Sequence, residues 1–471
     1  MHARREGMLS GILLLYHHPI SANAPTILEH VHMFGQHSRF DVCEVNTEFG
    51  FPPELSACRF RVILLHYSLF GGFPYRLDDV WKNYLRQCPG SYKIAFFQDE
   101  YYRCPDRFEF IRQQNIDCIY SLLRPHLASQ VYGRHTPIKQ LRHTIPSYTS
   151  HELVELGERL AKPGASRPID IGYRARPTFF HMGRGAREKT EIAQRFKEAS
   201  QPLGLKLDIE TAEDRRIYGD AWPKFLAACK AVLGVEAGVS IFDVHDDARL
   251  ACEQWMREHP TATFEQVHEA VLRRWEDRLY YRTIGPRHFE AAAMRTCQIL
   301  FEGEYSGILK PMVHYIPLKK DFANFDEVVR LFRDERMRRN LTEAAHHELI
   351  ASGKYACDQF VAEFDRDLAE QGILPGPATA AMANVSSLLQ TAARRRLRRR
   401  RLWHAMSTTR GRLGRSPWVQ RAKMVAAAPM WVVGYTLGRA VRPLRHGIQR
   451  RILARIARPF VMGFRRAAQG T

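Results

Sequence analysis

Three stretches of this chain carry charged side chains at spacings that suit binding or proton transfer. In Gly183-Arg184-Gly185-Ala186-Arg187-Glu188-Lys189, the apolar run Thr178–Met182 meets a glycine turn and then a helical pattern. Arg184 and Lys189 stand five residues apart, at the turn and the helix start. A helix N-terminus favours an anion through its free N–H groups and its dipole. Two cations beside it would hold a diphosphate, the arginine bidentately. The plain alternative is a solvated basic loop. In Gly285-Pro286-Arg287-His288-Phe289-Glu290, a loop opens an Ala-rich helix with Glu290 in its first turn. A carboxylate there either caps the helix or accepts from ribose hydroxyls. In Gln98-Asp99-Glu100-Tyr101-Tyr102, two acids and two tyrosines follow the apolar run Tyr92–Phe97. Asp99 or Glu100 would orient an acceptor hydroxyl or take its proton, unless the stretch is simply a solvated turn.

Other candidates are weaker. His17 and His18 follow the apolar run Ile12–Tyr16, where a histidine is more often structural than catalytic. His30 and His32 are two apart on a helical stretch, so they point to different faces and make no metal pair. The nine cysteines are odd in number and none forms a CxxC, which favours reduced thiols and a cytosolic compartment. The short apolar run after Met1–Arg5 ends at His17-His18-Pro19 and reads as a first strand, not a leader.

The elements that must position these residues alternate. Strands are expected at Ile12–Tyr16, Asp41–Val45, Arg61–His66, Tyr92–Phe97 and Asp117–Leu122, with helices such as Thr26–Gly35 and Leu77–Gln87 between them. A Pro/Gly-containing stretch, Ala161–Pro168, reads as a linker. A second set has strands at Thr178–Met182, Leu205–Ile209, Ala231–Val235, Gln298–Phe301 and His314–Pro317. Helix-rich sequence at about 243–281 interrupts it as an insertion. Strand–helix alternation with unbroken apolar strands predicts an α/β fold of two Rossmann-like, doubly wound domains. Their boundaries are expected at 1–165 and 166–370, facing a cleft.

The charge is unevenly spread. The whole chain of 471 residues has a formal net charge of +20. Residues 371–471 hold 21 Lys and Arg and no Asp or Glu, leaving 49 basic and 50 acidic residues upstream. A near-neutral body therefore carries a cationic tail. The tail has Arg394–Arg401, with one leucine in the run, then an uncharged stretch Met424–Gly438 containing Trp431. Further on, Ile452, Leu453, Ile456 and Phe460 alternate with arginines at helical spacing. Such a basic amphipathic tail suits an anionic membrane surface. Nucleic acid is the less favoured partner. No uninterrupted apolar run reaches the roughly 18–20 residues of a spanning helix.

Gly183-Arg184 with Lys189, and later Phe289-Glu290-Ala-Ala-Ala before an apolar strand, resemble the donor half of retaining GT-B glycosyltransferases, group 1 or family-four-like. Gln298–Gly307 and His314–Val328 resemble that family's closing strand, loop and helix, with Asp321, Asn324 and Glu327 at the helix entry. The resemblance covers about residues 166–365 by motif and the first half by architecture alone. It implies that Arg184 and Lys189 hold a donor diphosphate and that Glu290 holds the ribose, with Gly183 and Arg287 also among the donor-binding residues. It implies no metal or other cofactor, retention of configuration, and a glycan or lipid-linked acceptor in surface polysaccharide or glycoconjugate synthesis. The expected location is cytoplasmic, at the inner face of a membrane. The chain departs from the pattern at Arg282, which stands where the family carries a second Glu, and at Arg295, where a glycine is usual. Glu236 ends an earlier strand and is the substitute near the transferred sugar, with Arg282 beside it. Two alternatives follow: a non-catalytic nucleotide-sugar-binding or scaffold protein with a degenerate site, or a nucleic-acid-binding protein acting through its tail.

Overall fold

Leu13-Leu14-Leu15, Ile63-Leu64-Leu65 and Ile94-Ala95-Phe96-Phe97 are apolar without a break. In the computed structural model of the protein, which describes residues 8–19, 25–162, 166–377 and 380–414, these runs are strands covered on both faces. Leu13, Leu15, Ile63, Leu65, Ala95 and Phe97 join one core cluster. Leu14, Leu64, Ile94 and Phe96 join a second. Successive side chains leave a strand on opposite faces, so an unbroken apolar run requires a cover on each side.

The first sheet holds β1 (Leu9–Tyr16), β2 (Val42–Asn46), β3 (Phe60–Leu65), β4 (Tyr92–Phe96), β5 (Cys118–Ser121) and β6 (Gln140–His143). They are parallel, in the order β2-β1-β3-β4-β5-β6. The second half supplies β7 (Ile169–Arg174), β8 (Leu207–Glu210), β9 (Cys229–Gly234), the short β10 (Ala237–Val239) and β11 (Tyr281–Thr283), then β12 (Cys297–Phe301) and β13 (Ile316–Leu318). Its main sheet is parallel in the order β13-β12-β9-β7-β8. Strand order reverses beside the first strand of each sheet, between β1 and β3 and between β7 and β9. Ligands of doubly wound sheets sit at the carboxyl ends of the strands at such reversals. This is the expected GT-B-like α/β architecture of two Rossmann-like halves.

One strand differs from expectation. Thr178–Met182 is not a strand but a loop ending in a 3-10 turn, Phe180–Met182. The opening strand is Ile169–Arg174, where Ile171 and Tyr173 are buried. The aromatic run at 178–180 reads as a strand by composition. Its Phe179 is exposed, however, and its Phe180 packs against the insertion, 5.6 Å from Phe264. Strand β6 and the β10–β11 hairpin were also not expected.

The antiparallel pair β10–β11 brackets the insertion, so the detour leaves and rejoins the fold at one point. The insertion has a helix, Asp247–Glu258, and a helical run, Phe264–Val267 continuing as His268–Leu272. Ala248, Cys252, Phe264, Val267 and Leu272 give it a core of its own.

After the second sheet the chain returns to the first. Phe360, Val361, Phe364 and Leu368 of the helix Cys357–Glu370 join Phe34, Phe96 and Tyr120. Buried Asp365 accepts from the Ser38 hydroxyl and the Arg39 amide, both at 2.8 Å. Residues 1–393 form one compact unit. Within it, Met382 and Leu389 of the helix Ala380–Gly414 join the first core cluster. Of residues 394–471, the described part, 394–414, is helical. The stretches Met424–Gly438 and Ile452–Phe460 lie outside the described residues. Among the described residues no helix is long and apolar enough to cross a membrane. All nine cysteines are free thiols, and Cys58 alone is not fully buried.

Candidate functional site

The carboxyl ends of the strands carry the charge. Lys189 lies in the second turn of the helix Arg184–Ala199. Burial pushes its amine down to about 8, and the guanidinium groups of Arg287 and Arg176 push the same way. Asp99 and Glu188 oppose the shift. Arg176 is exposed two residues beyond β7, and Arg287 opens the helix Pro286–Ala293. An Arg287 Nη1 donates to the Arg174 carbonyl at 3.0 Å. The charges of Arg287 and Arg176 thus reach Lys189 from two other elements. Such a group attracts a multiply charged anion.

Asp99 reaches the cluster from the other half. It follows β4 with φ at 50°, the left-handed region that a non-glycine residue seldom adopts. Its side chain keeps exposed surface, but partial loss of hydration raises its carboxyl above the ordinary value, and Lys189, Arg107 and Arg176 pull it back. Arg107 holds the loop: its guanidinium donates to the Glu100 carbonyl at 2.6 Å and the Tyr102 carbonyl at 2.9 Å. Asp99 of the first half and Lys189 and Arg176 of the second thus lie within electrostatic reach of one another.

Glu290 lies on the second half. Its Oε2 accepts from the Trp222 indole N–H at 2.7 Å, and Oε1 has no partner among the described residues. Burial raises the carboxyl, while Trp222 and Arg287 lower it. Glu290 is in the second turn of its helix, not the first as expected, and so does not cap it. Glu29, on the helix Pro25–His37 of the first half, is raised by burial and by the charges of Glu290 and Glu152. One end of the cleft is cationic and the other acidic.

Four expected residues are placed otherwise. Arg184 turns away from Lys189 to the insertion, where its Nη2 lies 3.3 Å from His268 Nδ1. Two N–H groups of that helix end are already taken. The Arg184 amide donates to Glu276 Oε1 at 3.0 Å, and the Gly185 amide donates to Ser240 Oγ at 2.7 Å. The insertion's own carboxylate occupies the positive end of the helix, where the motif predicted a phosphate. Gly183 keeps the turn tight. It has φ at 80°, and a Cβ there would meet Ser240 Oγ at 2.5 Å. Glu100 is fully enclosed and does not face the cleft. Its carboxylate accepts from Ser121 Oγ and Tyr132 Oη, both at 2.6 Å, and from the Leu122 amide at 2.7 Å. Glu236 is also buried, accepting from Tyr280 Oη at 3.0 Å and from the Tyr305 amide at 2.8 Å. Arg282 is held by Glu188 at 3.1 Å and Asp277 at 3.4 Å, and a Cβ on Gly185 would meet its guanidinium at 2.7 Å.

The His17 and His18 amides donate to Ser68 Oγ and Asn46 Oδ1, at 2.9 and 3.0 Å. His30 is buried 3.1 Å from His66, and burial pushes it down to about 3. His32 instead meets Glu44 at 2.8 Å, on another face of the helix. Among the described residues no three His, Cys, Asp or Glu side chains group as a metal site.

Sequence reasoning missed Arg176 and Trp222. Arg176 became visible only once β7 was placed at Ile169–Arg174. Trp222 lies in the first turn of the helix Ala221–Ala228, which leads into β9.

The second of the two doubly wound halves carries the Lys189, Arg176 and Arg287 cations and Glu290, one of whose carboxylate oxygens is hydrogen-bonded. No family model matches the chain, and neither does any curated protein. Among solved structures it is similar to a DNA-modifying β-glucosyltransferase, at 11% identity and TM-score 0.45, over 76% of this chain and 99% of that one. It is similar to Anabaena HepE, solved with UDP-glucose, at 9% identity and TM-score 0.42, over 76% and 100%. It is also similar to TarM, at 9% identity and TM-score 0.35, over 64% of this chain. The match spans about half the length of TarM, 53%.

Proposed function

We propose that the protein is a glycosyltransferase that moves a sugar from a nucleotide-sugar donor to a glycan or lipid-linked acceptor, in surface polysaccharide or glycoconjugate synthesis. The observation that carries this reading is the gathering of Lys189, Arg287 and Arg176 at the strand ends of the second half, with Arg287 anchored on the Arg174 carbonyl and the Asp99 charge within reach. The three cations hold the diphosphate and stabilise its charge as the bond from the anomeric carbon to the phosphate oxygen breaks. Glu290 accepts from the ribose. Asp99 orients the acceptor hydroxyl, whose oxygen forms the new bond to the anomeric carbon. Retention, which the family resemblance implies, requires attack from the face that the diphosphate leaves. A phosphate oxygen of the leaving group then takes the hydroxyl proton. Closure of two walls around both substrates excludes water.

The basic tail would hold the protein at the cytoplasmic face of an anionic membrane, each cation near the surface adding about 1 kcal/mol. Arg394–Arg398 on the described helix support this reading.

A second reading is a donor-binding protein without turnover. It is favoured by one observation: Glu236 is enclosed and Arg282 is locked in ion pairs, so neither is free beside a donor sugar. One experiment separates the two. The full chain is titrated calorimetrically with UDP, GDP, ADP and TDP, then given the matching nucleotide sugars with acceptor-bearing anionic vesicles. Selective nucleotide binding with release of diphosphate supports the transferase, and the anomer of the product reads the stereochemistry. Binding without release supports the second reading. No binding at all would sink both.

A further inference from the structure

The Trp222–Glu290 contact reaches beyond the donor diphosphate, and its meaning rests on the reading of Glu290 as the ribose group. Glu290 is half-buried and has one donor from the protein, the Trp222 indole N–H at 2.7 Å. The indole itself is fixed from behind. It stacks on Phe225 with ring centroids 5.7 Å apart and planes 25° from parallel. Phe225 lies under the Arg174 guanidinium at 4.5 Å. That guanidinium is tied to the Asp208 carbonyl at 2.8 Å and the Asp208 carboxylate at 2.7 Å. The Arg174 carbonyl in turn receives Arg287 of the cationic cluster. The stack therefore backs the indole that meets Glu290, while Arg287 is anchored separately on a backbone carbonyl.

We propose that Trp222 is a positioning residue that pins one oxygen of Glu290, aims the other at the ribose diol, and makes the cleft prefer ribonucleotides over 2′-deoxyribonucleotides. The pinned carboxylate cannot swing to find another donor. A ligand lacking one hydroxyl then leaves a half-buried acceptor unpaired, the situation in which a site rejects an analogue most strongly. Without the indole N–H, Glu290 can rotate to whichever hydroxyl remains, and the preference fades.

The test uses the full chain and three pairs of ligands: UDP with dUDP, GDP with dGDP, and ADP with dADP. For the nucleotide that binds, the wild type is expected to favour the ribo form by about tenfold or more. Trp222→Phe keeps an aromatic ring but removes the donor. It should bring that ratio below about threefold while leaving affinity for inorganic pyrophosphate unchanged, because pyrophosphate reads the cations alone. Glu290→Gln should also abolish the preference. The double variant should add nothing further, since both residues act through one contact. A Trp222→Phe protein that keeps the wild-type ratio would overturn the inference and leave the donor reading standing. Equal loss of ratio and pyrophosphate binding would also overturn it, because that is the mark of a merely structural residue. A wild type that binds no ribonucleotide would overturn the donor reading, and this inference with it.

Discussion

Tyr281 of β11 fastens the second half of the protein to Glu100 of the first: its hydroxyl accepts from the Glu100 amide at 3.3 Å and donates to the Glu100 carboxylate at 3.4 Å. The contact lies one residue from Asp99 and one from Arg282, so it helps set the walls of the cleft. Glu100 keeps three further partners: Ser121, Tyr132 and the Leu122 amide. Tyr281→Phe is therefore expected to cost only about 1 kcal/mol. Glu100→Ala strands several buried donors and should cost about 3 kcal/mol or more. Chemical unfolding of the two variants gives the comparison, and a Glu100→Ala protein as stable as Tyr281→Phe would contradict the structural role.

Lys189→Ala and Arg287→Ala should each weaken nucleoside diphosphate binding by about tenfold or more, the scale of a lost charge-assisted hydrogen bond. Arg184→Ala should change it by less than about twofold, because Arg184 is engaged with His268 and Glu276. Calorimetry on the three variants decides whether the motif arginine or the converged cluster holds the anion.

The same binding should depend on pH. Burial, then Arg287, brings the Lys189 amine down to about 8. Below that value it is protonated and attracts the anion; above it the charge is lost. Affinity should fall as pH rises through about 8. A bound anion favours the charged amine, so binding above that pH should take up a proton, visible as a buffer-dependent heat. Lys189→Arg stays charged throughout and should remove the step.

Asp99→Asn should lower turnover by about a hundredfold through loss of acceptor orientation. Nucleotide affinity should hold or improve, because a negative charge near Lys189 is gone. In the wild type, partial loss of hydration raises the Asp99 carboxyl, so turnover should decline on acidification earlier than an ordinary aspartate would give. Equal losses of turnover and binding in Asp99→Asn would contradict this assignment.

Much of the architecture was legible because buried parallel strands need unbroken apolar runs. Ile12–Tyr16, Arg61–His66 and Tyr92–Phe97 were placed to within a few residues on that ground alone. Strand β7 was not, because Ile169-Asp-Ile-Gly-Tyr-Arg174 mixes polar and apolar residues, while Thr178-Phe-Phe180 imitates a strand. The insertion stood out because it breaks the alternation, although its helices gave no hint that Glu276 would cap the helix at Arg184.

The sequence by itself determined two doubly wound sheets, a basic tail, and the strand ends near which charge would gather. Adjacent residues show what it left to the fold. Asp99 keeps exposed surface and Glu100 is buried, because a left-handed backbone at Asp99 and the Arg107 clamp turn the loop between them. Likewise Lys189 joined Arg176 and Arg287, while Arg184, five residues earlier, went to the insertion. Spacing along a chain sets which side chains can share a local face. Which of them meets a partner from another element is decided by packing between segments distant in sequence, and that is a property of the tertiary structure alone.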